Sequence, residues 1–129
     1  MIDLKTVIEA HSNLIDEFGG SKGVRSLEGL EAALARPYPY MTFDQQDLYP
    51  LPEDKAAAIF ESLIINHPFI DGNKRTAYVL LRTFLILSGL DIQATEFEKY
   101  EMTISASKGE LDIDGIKSWI TKRLVHINQ

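Results

Sequence analysis

The chain has 129 residues, a net charge of −6, 45% hydrophobic and 25% charged residues, and no cysteine. That is the size and balance of one globular domain, read as residues 1–129, with enough chain to bury a core without covalent staples. Disulfides, thiolate metal sites and cysteine nucleophiles are excluded. The acidic balance argues against direct, sequence-independent nucleic-acid binding, which needs Lys and Arg against phosphates.

The N-terminus, Met1-Ile-Asp-Leu-Lys-Thr6, has neither the basic region nor the apolar run of a secretory leader. No apolar stretch is long enough to span a bilayer. A cytoplasmic protein without a membrane partner is expected.

In chain order the dominant period is helical. Leu4, Val7, Ile8, Leu14, Ile15 and Phe18 share one face of a first helix, which Gly19-Gly20 stops. Ser26 can cap a short second helix carrying Leu27, Leu30 and Leu34, which ends before Pro37. Residues 37 to 52 form the largest irregular segment, rich in Pro and Tyr, where a short β-ribbon has room to form.

Helix resumes near Glu53 and runs to Asn66, with Ile59, Phe60, Leu63 and Ile64 inward and Pro68 as breaker. Another helix is expected from Asn73 to Ser88, with Ala77, Leu80, Leu81, Phe84 and Leu85 on one stripe and Gly89 as terminator. Thr95 and Glu98 have capping-box spacing for a helix bearing Phe97, Tyr100 and Ile104. Asp112 can cap a last helix with Ile116, Trp119, Ile120 and Leu124. No pair of clear strands stands out. The expected fold class is all-α, a compact bundle of about six helices.

The chemistry concentrates in His67-Pro-Phe-Ile-Asp-Gly-Asn-Lys-Arg75, a turn between the two central helices. Cations at a helix start oppose the dipole, so Lys74 and Arg75 together point to a bound anion. Free amides, the close approach allowed by Gly72, and two cations make a phosphate cradle of Gly72, Asn73, Lys74 and Arg75. Asp71 supplies the single carboxylate with which a protein usually holds Mg²⁺ beside substrate phosphates. His67 is the candidate general base. Taken singly, each has an ordinary reading as cap, turn or solvated charge; their coincidence in nine residues favours phosphoryl or nucleotidyl transfer. His11 and His126 lack partners at metal-ligand spacing and read as core or surface residues. Trp119 and the aromatics at helical spacing read as core, and Asp112 and Asp114 as capping residues.

The nine-residue run resembles the signature of the Fic/Doc family, His-Pro-Phe-x-Asp/Glu-Gly-Asn-Gly-Arg, most closely in its death-on-curing (Doc) branch. Upstream, Gly19-Gly20, Gly23-Val24-Arg25, Leu30 to Leu34 and Arg36-Pro37 are similar to the family's N-terminal block. Thr76-Ala77 and Ser88-Gly89 are similar to its continuation. Residues 4 to 120 are covered, the last thirty more weakly.

The resemblance implies an all-helical fold, His67 as the base that deprotonates a target hydroxyl, Asp71 on Mg²⁺, ATP as co-substrate, and residues 72–75 as the anion nest. It implies that the loop 37 to 52 is a flap that aligns a target segment. Lys74 stands where adenylylating members carry glycine. Its side chain can fill the distal-phosphate pocket and reverse the nucleotide. That favours phosphate transfer to a protein hydroxyl, with a translation elongation factor as substrate class, over AMP transfer.

Gly72 departs from the Doc pattern, which has Ala there, and leans the other way. A non-catalytic binding module on the same fold is the third reading. The family's inhibitory motif is absent: Glu28-Gly29 comes closest, but Val24 occupies its Ser/Thr position. Restraint is expected from an antitoxin whose disordered tail folds onto the toxin. Whether Arg25 and Arg36 touch phosphate or form structural ion pairs stays open at this point.

Overall fold

The computed structural model describes residues 2–39 and 47–127. Within them the order is α1 (Leu4–Phe18), α2 (Leu27–Ala35), α3 (Pro52–Asn66), α4 (Asn73–Ile86), β1 (Leu90–Ile92), α5 (Glu96–Ser107), α6 (Ile113–Thr121) and β2 (Leu124–His126). The local chemistry of the caps sets these boundaries. Asp3 accepts from the Thr6 amide at 2.8 Å, Ser26 from Gly29 at 2.9 Å, and Asp112 from Gly115 at 2.8 Å. Thr95 and Glu98 form the expected reciprocal box, both bonds at 3.1 Å. Pro52 opens α3, where a missing N–H costs nothing.

The central element is α3. Ala56 to Phe60 and Ser62 to Ile64 are all buried, so this helix is enclosed on most of its circumference. It packs against α2, α4, α5 and α6. The short side chains of Ala56, Ala57 and Ala58 let these neighbours approach closely. α4 lies along α3 through Ala77, Leu80, Leu81, Phe84 and Leu85. Burying a side chain such as Leu63 or Leu81 contributes roughly 1.5–3 kcal/mol. α1 packs on α4 and α2, burying Val7, His11 and Ile15, spaced i, i+4, i+8 on one face. The joint between α3 and α4 is thereby fixed by the best-packed part of the molecule.

Several expectations need correction. β1 and β2 pair antiparallel, with Leu90 opposite His126 and Ile92 opposite Leu124. Three-residue strands are too short to show alternation, which is why the sequence hid them. Leu124 belongs to β2 and not to the last helix, which ends at Thr121. α4 ends at Ile86, two residues before the expected stop. Phe97 and Tyr100 are exposed, not core; α5 instead buries Met102 and Ala106. The middle of the segment 37 to 52 considered for a ribbon, residues 40–46, lies outside the described residues, and the described flanks form no strand.

Candidate active site

α3 ends at His67 in the left-handed conformation (φ 45°, ψ 56°), unlike every other described non-glycine residue. Holding a residue with a Cβ there costs on the order of 1 kcal/mol or more and needs support from its surroundings. Arg25 supplies it. Its Nε donates to the His67 carbonyl at 2.8 Å, and its Nη2 donates to the carbonyls of Asn66 (2.8 Å) and His67. A guanidinium at a helix C-terminus satisfies orphan carbonyls and meets the negative end of the dipole.

The backbone beside Arg25 continues this clamp. Arg25 and Ser26 amides donate to Pro68 O at 2.7 and 3.0 Å, Ile70 N donates to Gly23 O at 3.0 Å, and Val24 bridges Phe69. The Asn66 side chain donates to Gly29 O at 3.0 Å. The His67 imidazole is left exposed, with no bonded partner among the described residues.

The turn itself is pinned from inside. Phe69 is buried and stacks face to face on His11, centroids 3.8 Å apart and planes 5° from parallel. The Asn73 side chain turns back and bonds both the N–H and C=O of Phe69, at 2.9 and 3.0 Å. His11 Nε2 lies 2.7 Å from Asp71 O; a carbonyl can only accept, so Nε2 carries the proton. Asp71 accepts from its neighbour Gly72 N at 2.9 Å and from Ser21 N at 3.2 Å. Gly72 sits at φ 74°, and a Cβ there would lie 3.1 Å from Ile15 Cδ1.

α4 then opens without a side-chain cap and without an acid in its first turn. The amides from Asn73 onward have no side-chain cap, and neither Lys74 nor Arg75 forms an ion pair among the described residues, so positive charge is concentrated there. The Arg75 guanidinium lies 4.3 Å over the Phe18 ring. His67, Ile70, Asp71, Gly72, Asn73, Lys74 and Arg75 line one cleft of about 270 Å³.

The chemistry of this donor set suits a polyphosphate. No group of three or more His, Asp or Glu side chains that could hold a metal exists among the described residues. Asp71 therefore fits a divalent cation only together with phosphate oxygens from a ligand, which is the usual Mg²⁺ arrangement.

The family model described as Fic/DOC matches residues 1–85. The chain belongs to the Fic/Doc family. A protein named Toxin Doc, from Mycolicibacterium smegmatis, is 47% identical over 77 residues, or 60% of this chain and 58% of that relative's own length. The helical bundle with a turn between two central helices is the Fic/Doc arrangement expected from the signature.

All six candidate residues of this Fic/Doc turn reach the same cleft, but they do not contribute alike. The Gly72 amide is already occupied by the Asp71 carboxylate, and the Asn73 side chain faces Phe69. An anion would meet the amides of residues 73–75 and the side chains of Lys74 and Arg75.

Arg25 and Arg36 separate clearly. Arg25 bonds backbone carbonyls and forms no ion pair among the described residues. Arg36 pairs with Glu61 at 3.2 Å, and its Nε donates to Tyr49 Oη at 3.4 Å, so it ties α2 to α3 and the end of the loop. The Tyr49 hydroxyl and Glu61 together hold the Arg36 guanidinium above its ordinary value.

His11, Ser21 and Phe18 were not singled out as site residues by sequence reasoning. The signal for His11 was its place between Val7 and Ile15 on the buried face of α1. The flap expected over 37 to 52 has its middle outside the described residues. Among the described helices, none is long and apolar enough to cross a membrane.

Proposed function

We propose that this chain is the toxin of a toxin–antitoxin pair, and that it transfers the γ-phosphate of ATP to a hydroxyl of a target protein of the translation elongation factor class. The observation that carries the reading is the uncapped start of α4. Lys74, Arg75 and amides without a side-chain cap line one cleft together with Asp71 and with His67, which has no bonded partner among the described residues. Cations and open amides at a helix start are suited to an anionic ligand. Family membership and the likeness to a protein named Toxin Doc support the toxin role and, with it, an antitoxin partner; that the partner binds through a disordered tail is part of the proposal.

In this reading the nucleotide lies with its terminal phosphate nearest His67. Lys74 and Arg75 hold the phosphate oxygens, Arg75 through a two-donor fork and Lys74 as a point charge. Asp71 would hold Mg²⁺ against the phosphates, and that ion, when bound, offsets charge on the phosphate chain. His67 accepts the proton of the target hydroxyl. The hydroxyl oxygen bonds to the γ-phosphorus as the bond from that phosphorus to the β–γ bridging oxygen breaks, and ADP leaves. His67 needs no partner of its own for this, because the Arg25 clamp already fixes its backbone.

Incubation with γ-labelled and α-labelled ATP and a bacterial lysate tests the reading. Label from the γ position, abolished by His67→Ala, is the expected result. Label from the α position alone would establish AMP transfer instead. Growth arrest that survives both His67→Ala and Asp71→Ala would establish a non-catalytic binding module. Lys74→Gly probes the cause of the direction: gain of α-label transfer is expected if the lysine excludes the AMP-transferring orientation of the nucleotide.

A further inference from the structure

His11 is buried to 2% exposure on α1, sixty residues in sequence from the atom it bonds. A histidine in a core is ordinarily a packing residue, and an apolar side chain fills such a position at lower desolvation cost. Two features set His11 apart from that ordinary case. Its ring lies flat on Phe69, the buried residue of the turn, and its Nε2–H reaches the Asp71 carbonyl. That carbonyl belongs to the peptide unit between Asp71 and Gly72. The N–H at the other end of the same unit donates to Asp71 Oδ1.

A peptide unit is planar, so it turns as one piece. Here it is gripped at its oxygen by His11 and at its nitrogen by the Asp71 carboxylate. The next residue is Gly72, at φ 74°, which offers little steric resistance to rotation. The imidazole lies directly beneath it, with Nε2 3.5 Å from where a Cβ of Gly72 would stand. Without the His11 bond, the plane could rotate about its flanking bonds and carry the carboxylate and the first amide of the turn with it.

We propose that His11 is a positioning residue of this site. Through one hydrogen bond and one ring stack it fixes the plane of the 71–72 peptide, and so sets the direction of the Asp71 carboxylate and of the amides that open α4. Its importance for catalysis rests on the phosphate-transfer reading above; its effect on the turn does not.

The variants separate the two contacts. His11→Phe keeps a ring on Phe69 and removes the donor. His11→Gln restores a side-chain N–H donor without the ring. Amide hydrogen exchange in the full chain is the first readout. In His11→Phe the Gly72 amide should exchange about tenfold faster, the equivalent of losing one buried hydrogen bond, while the Leu63 amide in α3 is unchanged. His11→Gln should recover much of that protection. Turnover is the second readout: kcat for γ-phosphate transfer should fall about tenfold or more in His11→Phe, with a smaller change in KM for ATP.

Unchanged Gly72 exchange in folded His11→Phe would overturn the proposal. So would equal acceleration at Leu63, which marks plain packing, or a His11→Gln that behaves like His11→Phe. If His11→Phe does not fold, the wild-type protein still decides: its ¹⁵N spectrum should show the Nε2–H tautomer with coupling through the hydrogen bond to the Asp71 carbonyl carbon, and absence of that coupling overturns the proposal. Exchange and coupling need no turnover, so a wild-type protein that transfers no phosphate would count against the functional reading alone.

Discussion

Arg25 donates to the backbone carbonyl of His67 through two nitrogens, and His67 is the described non-glycine residue that takes a left-handed backbone. The two facts explain each other. The left-handed turn ends α3 sharply and leaves His67 exposed, in the cleft it shares with the start of α4. That turn is unfavourable for a residue with a side chain, and the planar guanidinium, spread over two consecutive carbonyls, offsets the cost. The residue that holds the backbone of the candidate base is thus forty-two positions away in the chain and does not itself line the cleft.

Removing that guanidinium should disable the site more than it weakens the fold. Arg25→Ala is expected to lower the proposed phosphate transfer about 100-fold, the scale of a misplaced reacting group, while the unfolding free energy falls by only about 1 kcal/mol, because the exposed carbonyls can turn to water. Arg25→Lys should recover little activity, because one ammonium cannot span both carbonyls. Turnover and urea unfolding on the same preparations check this. Activity that tracks stability in proportion would show that Arg25 serves only the fold.

Gly20 tests the other side of the turn. It sits at φ 114°, and a Cβ there would fall 2.7 Å from Asp71 Oδ2, inside any permitted contact. Gly20→Ala should therefore displace the Asp71 carboxylate or its Ser21 partner and weaken Mg²⁺-dependent ATP binding about tenfold or more, in addition to a backbone strain of about 1 kcal/mol. Gly19, where a Cβ would meet nothing within 4 Å, is the control. Its Ala variant carries backbone strain of the same kind, since φ is 90°, but should bind ATP normally. Calorimetry of ATP with Mg²⁺ on both variants distinguishes the outcomes, and equal binding would remove Gly20 from the site.

What the sequence reveals of this site depends on distance along the chain. The turn 67–75 was legible because its base, carboxylate, glycine and cations are contiguous, and because cations at a helix start contradict the dipole. The six helices were legible from apolar spacing and from the caps at Ser26, Thr95 and Asp112. β1 and β2 were not, since Leu90–Ile92 and Leu124–His126 are each a single pleat repeat and their pairing is set by tertiary contact.

Arg25 and His11 mark the other limit. Both stood in stretches flagged for resemblance or periodicity, yet their function is a bond to a backbone carbonyl more than forty residues away. Main-chain acceptors are present at every position, so no residue type in the sequence announces which one is used. Asn73 shows the converse. Its type suits an anion nest, but its side chain is spent closing the turn on Phe69.

That closure gives a near-isosteric test. Asn73→Asp keeps an acceptor for the Phe69 amide, loses the donor to the Phe69 carbonyl, and places a negative charge at the start of α4. The fold should survive, because an acid is welcome at a helix N-terminus. ATP affinity should fall about tenfold or more, because the new carboxylate occupies the positive field that the phosphates need. Thermal unfolding beside ATP binding separates the two. If Asn73→Asp binds ATP as well as wild type, the start of α4 is not where the phosphates sit.

Tyr78 lies one turn further along α4, and its hydroxyl is buried without a hydrogen-bond partner among the described residues. Burial pushes the phenol up to about 12, with Arg82 pulling weakly the other way. Two consequences follow with definite signs. At neutral pH, Tyr78→Phe removes an unsatisfied polar atom and should stabilise the protein by about 1 kcal/mol. An unfolded tyrosine ionises near pH 10, so the folded state holds its proton over a range where the unfolded state does not. The wild-type contribution from this group is therefore complete below about pH 10 and is lost as pH rises toward about 12. The advantage of Tyr78→Phe should widen across that window, since the variant has no phenol to ionise. Urea unfolding midpoints of both proteins from pH 7 to pH 11 measure it. A variant less stable than wild type at pH 7 would mean that the hydroxyl has a partner in solution, and a constant difference up to pH 11 would mean that its ionisation is not linked to folding.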